Sequence, residues 1–464
     1  MTGDQNLRVF FFLKFRMTLN GFARWLAAAM LAVVALPAQA LLPIQHWQTS
    51  GGARVYFVEN HDLPMLDLSV QFPAGAGYDG PETAGVASMT NRMLQLGADG
   101  MSEDEIARRL ADIGAQLGGR FSTDHAGLAL RTLVSARERR QALDIFARVL
   151  RRPEFPREVL DREKVRLIGA LKEADTKPDT IAALTFYRLL YRDHPYAQRA
   201  SGEVATVEKI TREQLVAFHQ RNYIARHGVV ALIGDVSRAE AEAIAEEVTR
   251  GLPQSAGAEP RLPPVPELPA ASSRVIAHPA SQAHIMIGEP GIARNDPDYF
   301  TLFVGNYVLG GGGFVSRITE EVRQKRGLAY SAYSYFSPLQ ERGPFLVGVQ
   351  TQRSQAQDAL KVVREVLRDF VATGPTEAEL TAAKQNIIGG FPLRIDSNAK
   401  IHEYLVLIGS YGLPLTYLDD FVPNVEKVTV AQIKDAFSRR IHPDRMVTVV
   451  VGADSDKTAT GPSD

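Results

Sequence analysis

The sequence predicts an α+β fold of two homologous domains, each a mostly antiparallel sheet with helices packed on one face. Two observations carry that expectation. The first is an internal repeat: Val207-Glu208-Lys209-Ile210-Thr211 returns as Val425-Glu426-Lys427-Val428-Thr429, and Gln214, Arg221 and Gly234 return as Gln432, Arg439 and Gly452, all offset by 218 residues without a gap. A fixed offset over such a stretch marks duplication of one structural unit. The second is a mixture of strand and helix patterns that does not alternate strictly, which favours helices segregated to one face of an antiparallel sheet. With 464 residues the chain has room for two to four domains and ample core.

In chain order, residues 1–40 read as a secretory signal peptide. Arg8, Lys14, Arg16 and Arg24 precede or flank the apolar run Leu26 to Leu36, which is too short to span a bilayer, and Ala38-Gln39-Ala40 suits a cut after Ala40. Met17 begins a more ordinary signal and is an alternative start. The expected mature protein is periplasmic, has no stable membrane span and carries a net charge of −4, from 48 basic and 52 acidic residues.

Residues 41–250 read as the first domain. Val55 to Val58 is a strand, and Leu66, Leu68, Val70 and Phe72 alternate with Asp67, Ser69 and Gln71, the period of a strand with one buried face. Ser102 and Glu105 form a capping box before a helix that places Ile106, Leu110 and Ile113 on one face. Leu128 to Val134 and Val229 to Ile233 are further strands. Residues 251–273 contain Pro253, Pro260, Pro263, Pro264, Pro266 and Pro269 and read as an extended interdomain linker. Residues 274–456 read as the second domain, with strands at His284 to Ile287, Phe345 to Val349 and Met446 to Val451, and 457–464 as a disordered tail.

Composition removes several functions. Apolar residues at 45% and charged residues at 23% exclude a disordered chain, and 52 Lys+Arg against 53 Asp+Glu provides no bulk attraction for nucleic acid. The absence of cysteine excludes disulfides, thiol catalysis and thiolate-bound metals. None of the ten histidines lies three or four residues from another, so no helix presents two imidazoles to one metal, and neither a G-x-S-x-G elbow nor a Walker loop occurs. His402 and Glu403 are adjacent and so do not face one point on a helix.

The informative segment runs from Leu309 through Gly310, Gly311, Gly312, Gly313, Phe314, Val315, Ser316 and Arg317. It continues as Glu320-Glu321-Val322-Arg323-Gln324-Lys325-Arg326-Gly327-Leu328-Ala329-Tyr330-Ser331. Consecutive glycines permit close backbone approach and positive φ, and Ser316 is placed to cap the short charged helix after it. Residue types alone leave open a flexible turn beside a solvated helix.

The run L-G-G-G-x-x-S-R followed by E-V-R-x-x-x-G-L-A-Y-S resembles the second domain of the pitrilysin/insulinase peptidases, which include the mitochondrial processing peptidases. The resemblance extends over nearly the whole mature chain and implies the duplicated α+β fold of the processing peptidase/LuxS-like metallohydrolase type. It implies that Arg323 holds a substrate carbonyl and Tyr330 stabilises the oxyanion, with Gly310, Gly311, Gly312, Gly313, Phe314, Ser316 and Arg317 flanking the substrate.

The first domain departs from the family pattern. Where those peptidases carry G-L-A-H-x-x-E-H-M-L, this chain has Gly85-Val86-Ala87-Ser88-Met89-Thr90-Asn91-Arg92-Met93-Leu94. The two histidine positions become Ser88 and Arg92 and the general-base position Asn91; the third ligand falls at Gly169 or Ala170, near Glu173. The chain is therefore expected to bind no metal and to be inactive alone. The resemblance implies a non-catalytic subunit of a heterodimeric zinc metallopeptidase: a homologous partner binds the zinc, and this chain supplies Arg323 and Tyr330 for extended or unfolded peptides. Alternatives are a non-enzymatic scaffold or a peptide-binding protein of the same fold.

Overall fold

The computed structural model describes residues 43–452; the expected signal peptide and C-terminal tail lie outside the described residues. In the first half, β1 (Gln45–Gln48), β2 (Arg54–Glu59), β3 (Met65–Phe72), β6 (Gln116–Phe121), β7 (Ala126–Leu133) and β8 (Val229–Gly234) form one sheet. Its order is β1-β2-β8-β3-β7-β6, while β4 (Gly97–Ala98) and β5 (Met101–Ser102) make a separate ribbon. In the second half, β9 (Ser272–Ile276), β10 (Gln282–Pro290), β11 (Ala329–Phe336), β12 (Pro344–Gln352) and β13 (Val447–Val451) are ordered β11-β12-β10-β13-β9. Among these strands, β2 with β8 and β9 with β13 run parallel, and the other pairs are antiparallel. Read from its other end, the second order repeats the first without β1. The 218-residue offset also carries over, since β2, β7 and β8 begin at 54, 126 and 229 and β9, β12 and β13 at 272, 344 and 447.

The expected strands fall on β2, β3, β7, β8, β10, β12 and β13, whereas β1, β6, β9 and β11 were not legible. β6 contains Gly118 and Gly119 at a sheet edge, and β11 spreads tyrosines and serines instead of an apolar alternation. The helix Glu103–Ala111 forms as expected: Ser102 accepts a hydrogen bond from the Glu105 backbone, and Ile106, Leu110 and Ile113 are buried.

The polar face of β3 is also buried. Asp67, Ser69 and Gln71 are covered along with the apolar alternates, because a helix of the second half lies across them. Four helices matter here. α1 (Val86–Met93) and α2 (Arg157–Ala174) hold the altered motif, α3 (Pro178–Tyr191) packs against β10 and β13, and α4 (Asn398–Tyr411) packs against β2, β3 and β8. Each half thus lends a helix to the other half's sheet. Gly409 makes the approach of α4 possible, since a Cβ there would lie 2.4 Å from Val229 Cγ1 and 2.8 Å from the Tyr56 ring. Phe186 of α3 is fully buried with Val447, Val449 and Val451.

Residues 251–271 carry no helix or strand, yet Leu262, Val265 and Leu268 are buried in that same second-half core. Their spacing of three matches the three-residue turn of a polyproline-like chain, which puts them on one side. The segment is a packed strap, and β9 begins at Ser272. A buried carboxylate joins the halves further: Asp124 accepts hydrogen bonds from Tyr196 Oη at 2.7 Å, Tyr411 Oη at 2.9 Å and the Gln340 backbone N–H at 2.8 Å.

Candidate functional site

The altered metal positions converge in space. α1 starts where both oxygens of buried Asp79 accept backbone N–H groups, from Gly85 at 2.9 Å and Ala87 at 3.0 Å, anchoring its first turn. One turn apart on α1, Ser88 and Arg92 share a cavity of about 260 Å³ with Glu163, Arg166, Leu167 and Ala170 of α2. Ser88 Oγ donates to the Gly85 carbonyl at 3.2 Å. Asn91 points away from the cavity, donating to the Gly127 carbonyl at 2.8 Å and to Tyr223 Oη at 3.4 Å, and Gly169 does not line it.

Arg92 hydrogen-bonds Glu163 through Nε. Burial pushes the Glu163 carboxyl up, but the hydrogen bond and charge of Arg92, with the charges of Arg166 and Arg162, outweigh this and hold it below the ordinary carboxylate value. Sequence reasoning did not single out Glu163. The signal lay in its spacing, because Glu163, Arg166, Leu167 and Ala170 follow one helical face. Glu173, the neighbour considered instead, pairs with Lys177 at 2.8 Å in solvent.

These residues do not fit zinc. The side chains at the three ligand positions are a hydroxyl, a guanidinium and a methyl or hydrogen, and the guanidinium is itself a cation. Among the described residues no cluster of three or more His, Cys, Asp or Glu is placed to hold a metal.

In the second half the glycine-rich segment is a wide helical turn. Gly312 N–H bonds the Tyr307 carbonyl at 2.8 Å and Lys325 N–H that of Glu320 at 2.9 Å, both spanning five residues. Such π turns insert a residue and re-aim the chain beyond them. Gly310 packs on β11 so closely that a Cβ would lie 2.3 Å from Ser334 Oγ. Gly310, Gly311 and Gly313 line an open cavity of about 590 Å³ together with aromatic side chains that include Tyr299, Phe303, Tyr307 and Tyr333. Gly312 does not line it.

Ser316 and Arg317 turn inward. Ser316 occupies a cap position, but its hydroxyl bonds the Gly313 carbonyl at 2.8 Å and Thr319 Oγ1 at 3.0 Å, and no backbone N–H donates to it. Arg317 grips Glu379 through Nε at 2.7 Å and Nη2 at 2.8 Å, and that hydrogen bond holds the Glu379 carboxyl down at about 2. Arg323 and Tyr330 face solvent. The Arg323 guanidinium sits 5.0 Å from the centroid of exposed Phe314, and Tyr330, 51% exposed, receives a hydrogen bond from Gln352 Nε2 at 3.5 Å. Among the described residues no carboxylate pairs with Arg323. Neither Arg323 nor Tyr330 lines either cavity, and the two cavities share no residue.

A family model described as insulinase (peptidase family M16) matches residues 54–203, and one described as the peptidase M16 inactive domain matches residues 209–387. A crystal structure described as a peptidase M16 inactive domain from Pseudomonas fluorescens is 40% identical, covers 89% of this chain and 99% of that one, and superposes with a TM-score of 0.85. A Helicobacter pylori protein named non-peptidase homolog YmxG is 27% identical over 388 residues, 82% of this chain and 87% of the relative. A Mycobacterium leprae protein named uncharacterized zinc protease ML0855 is 27% identical over 418 residues, 88% of this chain and 91% of the relative.

Proposed function

Because the chain belongs to the M16 peptidase family, we propose that it is the non-catalytic subunit of a two-chain zinc metallopeptidase. The observation that carries this reading is the contrast within one molecule. Arg92, at a metal position, is held in an ion pair with Glu163, while Arg323 and Tyr330 stand exposed with no carboxylate partner for the arginine among the described residues. The non-peptidase name given to the Helicobacter pylori relative agrees with it.

In the proposed assembly a homologous subunit brings the zinc, in the periplasm, and an extended peptide lies between the chains. Arg323 donates to a backbone carbonyl and Tyr330 Oη donates to the oxygen that gains charge as the amide is attacked. Phe314 stacks on the guanidinium and limits its swing without consuming its N–H donors. A second reading, peptide binding without cleavage, draws on the aromatic cavity beside the glycine-rich turn.

The test mixes the purified chain with a zinc-bearing homologue and a quenched peptide. Tyr330→Phe and Arg323→Ala should each lower turnover about 10²–10³-fold, the usual effect of losing one oxyanion donor. Unchanged turnover in both variants would end the shared-site reading. Unchanged peptide affinity of the isolated chain after narrowing the aromatic cavity would count against the second.

A further inference from the structure

We infer that the cavity between α1 and α2 is a binding site for a peptide's C-terminal residue, with Arg92 receiving the carboxylate. The inference rests on family membership and on the cavity, and it does not need the partner subunit.

The first argument is charge. Arg162 pairs with Glu103 at 2.5 Å and also reaches Glu163 at 3.4 Å, and the same Glu163 is shared by Arg92 and by Arg166, whose Nη1 lies 3.8 Å from it. Three guanidiniums against two carboxylates leave one positive charge uncompensated at the cavity. One added carboxylate balances it; a dianion overshoots.

Geometry agrees with the charge count. Arg92 spends only Nε on Glu163, and its two terminal nitrogens have no hydrogen-bond partner among the described residues. Those nitrogens form the planar edge that matches a carboxylate's two oxygens, and the Glu163 contact holds the guanidinium in place beforehand. A lysine there could offer no such edge.

Shape selects the remainder of the ligand. Met89 and Leu167 supply apolar wall in a space of about 260 Å³, enough for one side chain beside the carboxylate. In a chain of a peptidase family, the group that joins a single carboxylate to an apolar side chain is the last residue of a peptide. The loss of the metal ligands thus left a cationic pocket of different use: a fixed guanidinium stands where a metal ion would have required three donors.

The test uses the whole chain alone and three fluorescent peptides: one ending in leucine with a free carboxylate, the same sequence with a C-terminal amide, and that amide with its penultimate residue replaced by glutamate. The free acid should bind about ten- to a hundredfold more tightly than the plain amide, as expected for a charge-assisted pair. In Arg92→Met/Glu163→Gln, which removes the guanidinium fork and the carboxylate that holds it while leaving the net charge at the cavity unchanged, that preference should be lost while the far-ultraviolet circular dichroism stays unchanged. Equal affinity for acid and plain amide would overturn the inference. So would a preference that survives in the double variant, or glutamate-amide binding as tight as the free acid, which would make the ligand an acidic side chain.

Discussion

At the 218-residue offset, α1 corresponds to residues 304–311, and the two segments reach their sheets in different ways. α1 keeps a regular helix and meets β6 and β7 through Asn91, leaving Arg92 to turn toward α2. Its counterpart widens into a π turn over 307–311 and sets Gly310 directly on Ser334 of β11. Side-chain volume accounts for the contrast. Arg92 corresponds to Gly310, so a long cation fills one site while a missing side chain draws the strand close at the other. Duplication supplied one scaffold segment twice, and the two copies, which differ at seven of their eight residues, became a charged pocket and a tight turn beside an aromatic cavity.

The contrast can be broken most severely through what both halves share. Phe186→Ala empties the seat of α3 on the second sheet and should cost about 3–5 kcal/mol in denaturant unfolding. A loss below about 1 kcal/mol would show that the exchanged helix is not needed to hold that sheet. Gly310→Ala should cost about 1–3 kcal/mol, since its Cβ would sit 2.5 Å from the Ser334 backbone nitrogen, and should shift the fluorescence of probes bound in the aromatic cavity. Were that substitution neutral, close packing would not explain the glycine.

Arg92→Met should cost only about 1 kcal/mol, because Arg92 is 44% exposed and Arg166 remains near Glu163. Its pH dependence is the sharper measurement. The Glu163 carboxyl is held below its ordinary value of 4.5, so its contribution is complete above that value and disappears as pH falls through the lower folded pKa. Wild type and Arg92→Met should therefore converge in stability on acidification; a gap that stays constant down to about pH 3 would contradict the assignment. Arg323→Ala, at the other site, should change stability by no more than about 0.5 kcal/mol, because the side chain is exposed and outside any ion pair among the described residues. A melting temperature that drops substantially would mark Arg323 as a structural residue.

The parts legible in the sequence share one property: local pattern suffices to state them. Leu66 to Phe72 alternate, Ser102 precedes Glu105 by one helical turn, and the repeat around Val207 and Val425 announces duplication. The altered motif was equally readable, since Ser88, Arg92 and Gly169 or Ala170 differ from zinc donors, and Asn91 from a general-base carboxylate, by residue type alone. Glu163 escaped because its meaning depends on Arg92 lying opposite, 71 residues away. Ser316 and Arg317 read as parts of an exposed motif, yet they point inward because Thr319 and Glu379 offer them partners.

Residue order alone therefore showed the duplicated α+β units, and the family resemblance added that Ser88, Arg92 and Gly169 or Ala170 stand at the metal-ligand positions and Arg323 and Tyr330 at the arginine and tyrosine positions of the second half. The tertiary structure decided which surfaces those units hide. Asp67, Ser69 and Gln71 present a polar stripe suited to solvent, but α4 covers it; the proline-rich strap, suited to a free tether, is pinned through Leu262, Val265 and Leu268. The physical reason is that burial is a property of pairs. A periodic pattern shows which residues share a face, whereas the cover over that face depends on segments far away in the chain, here helices exchanged between the two halves.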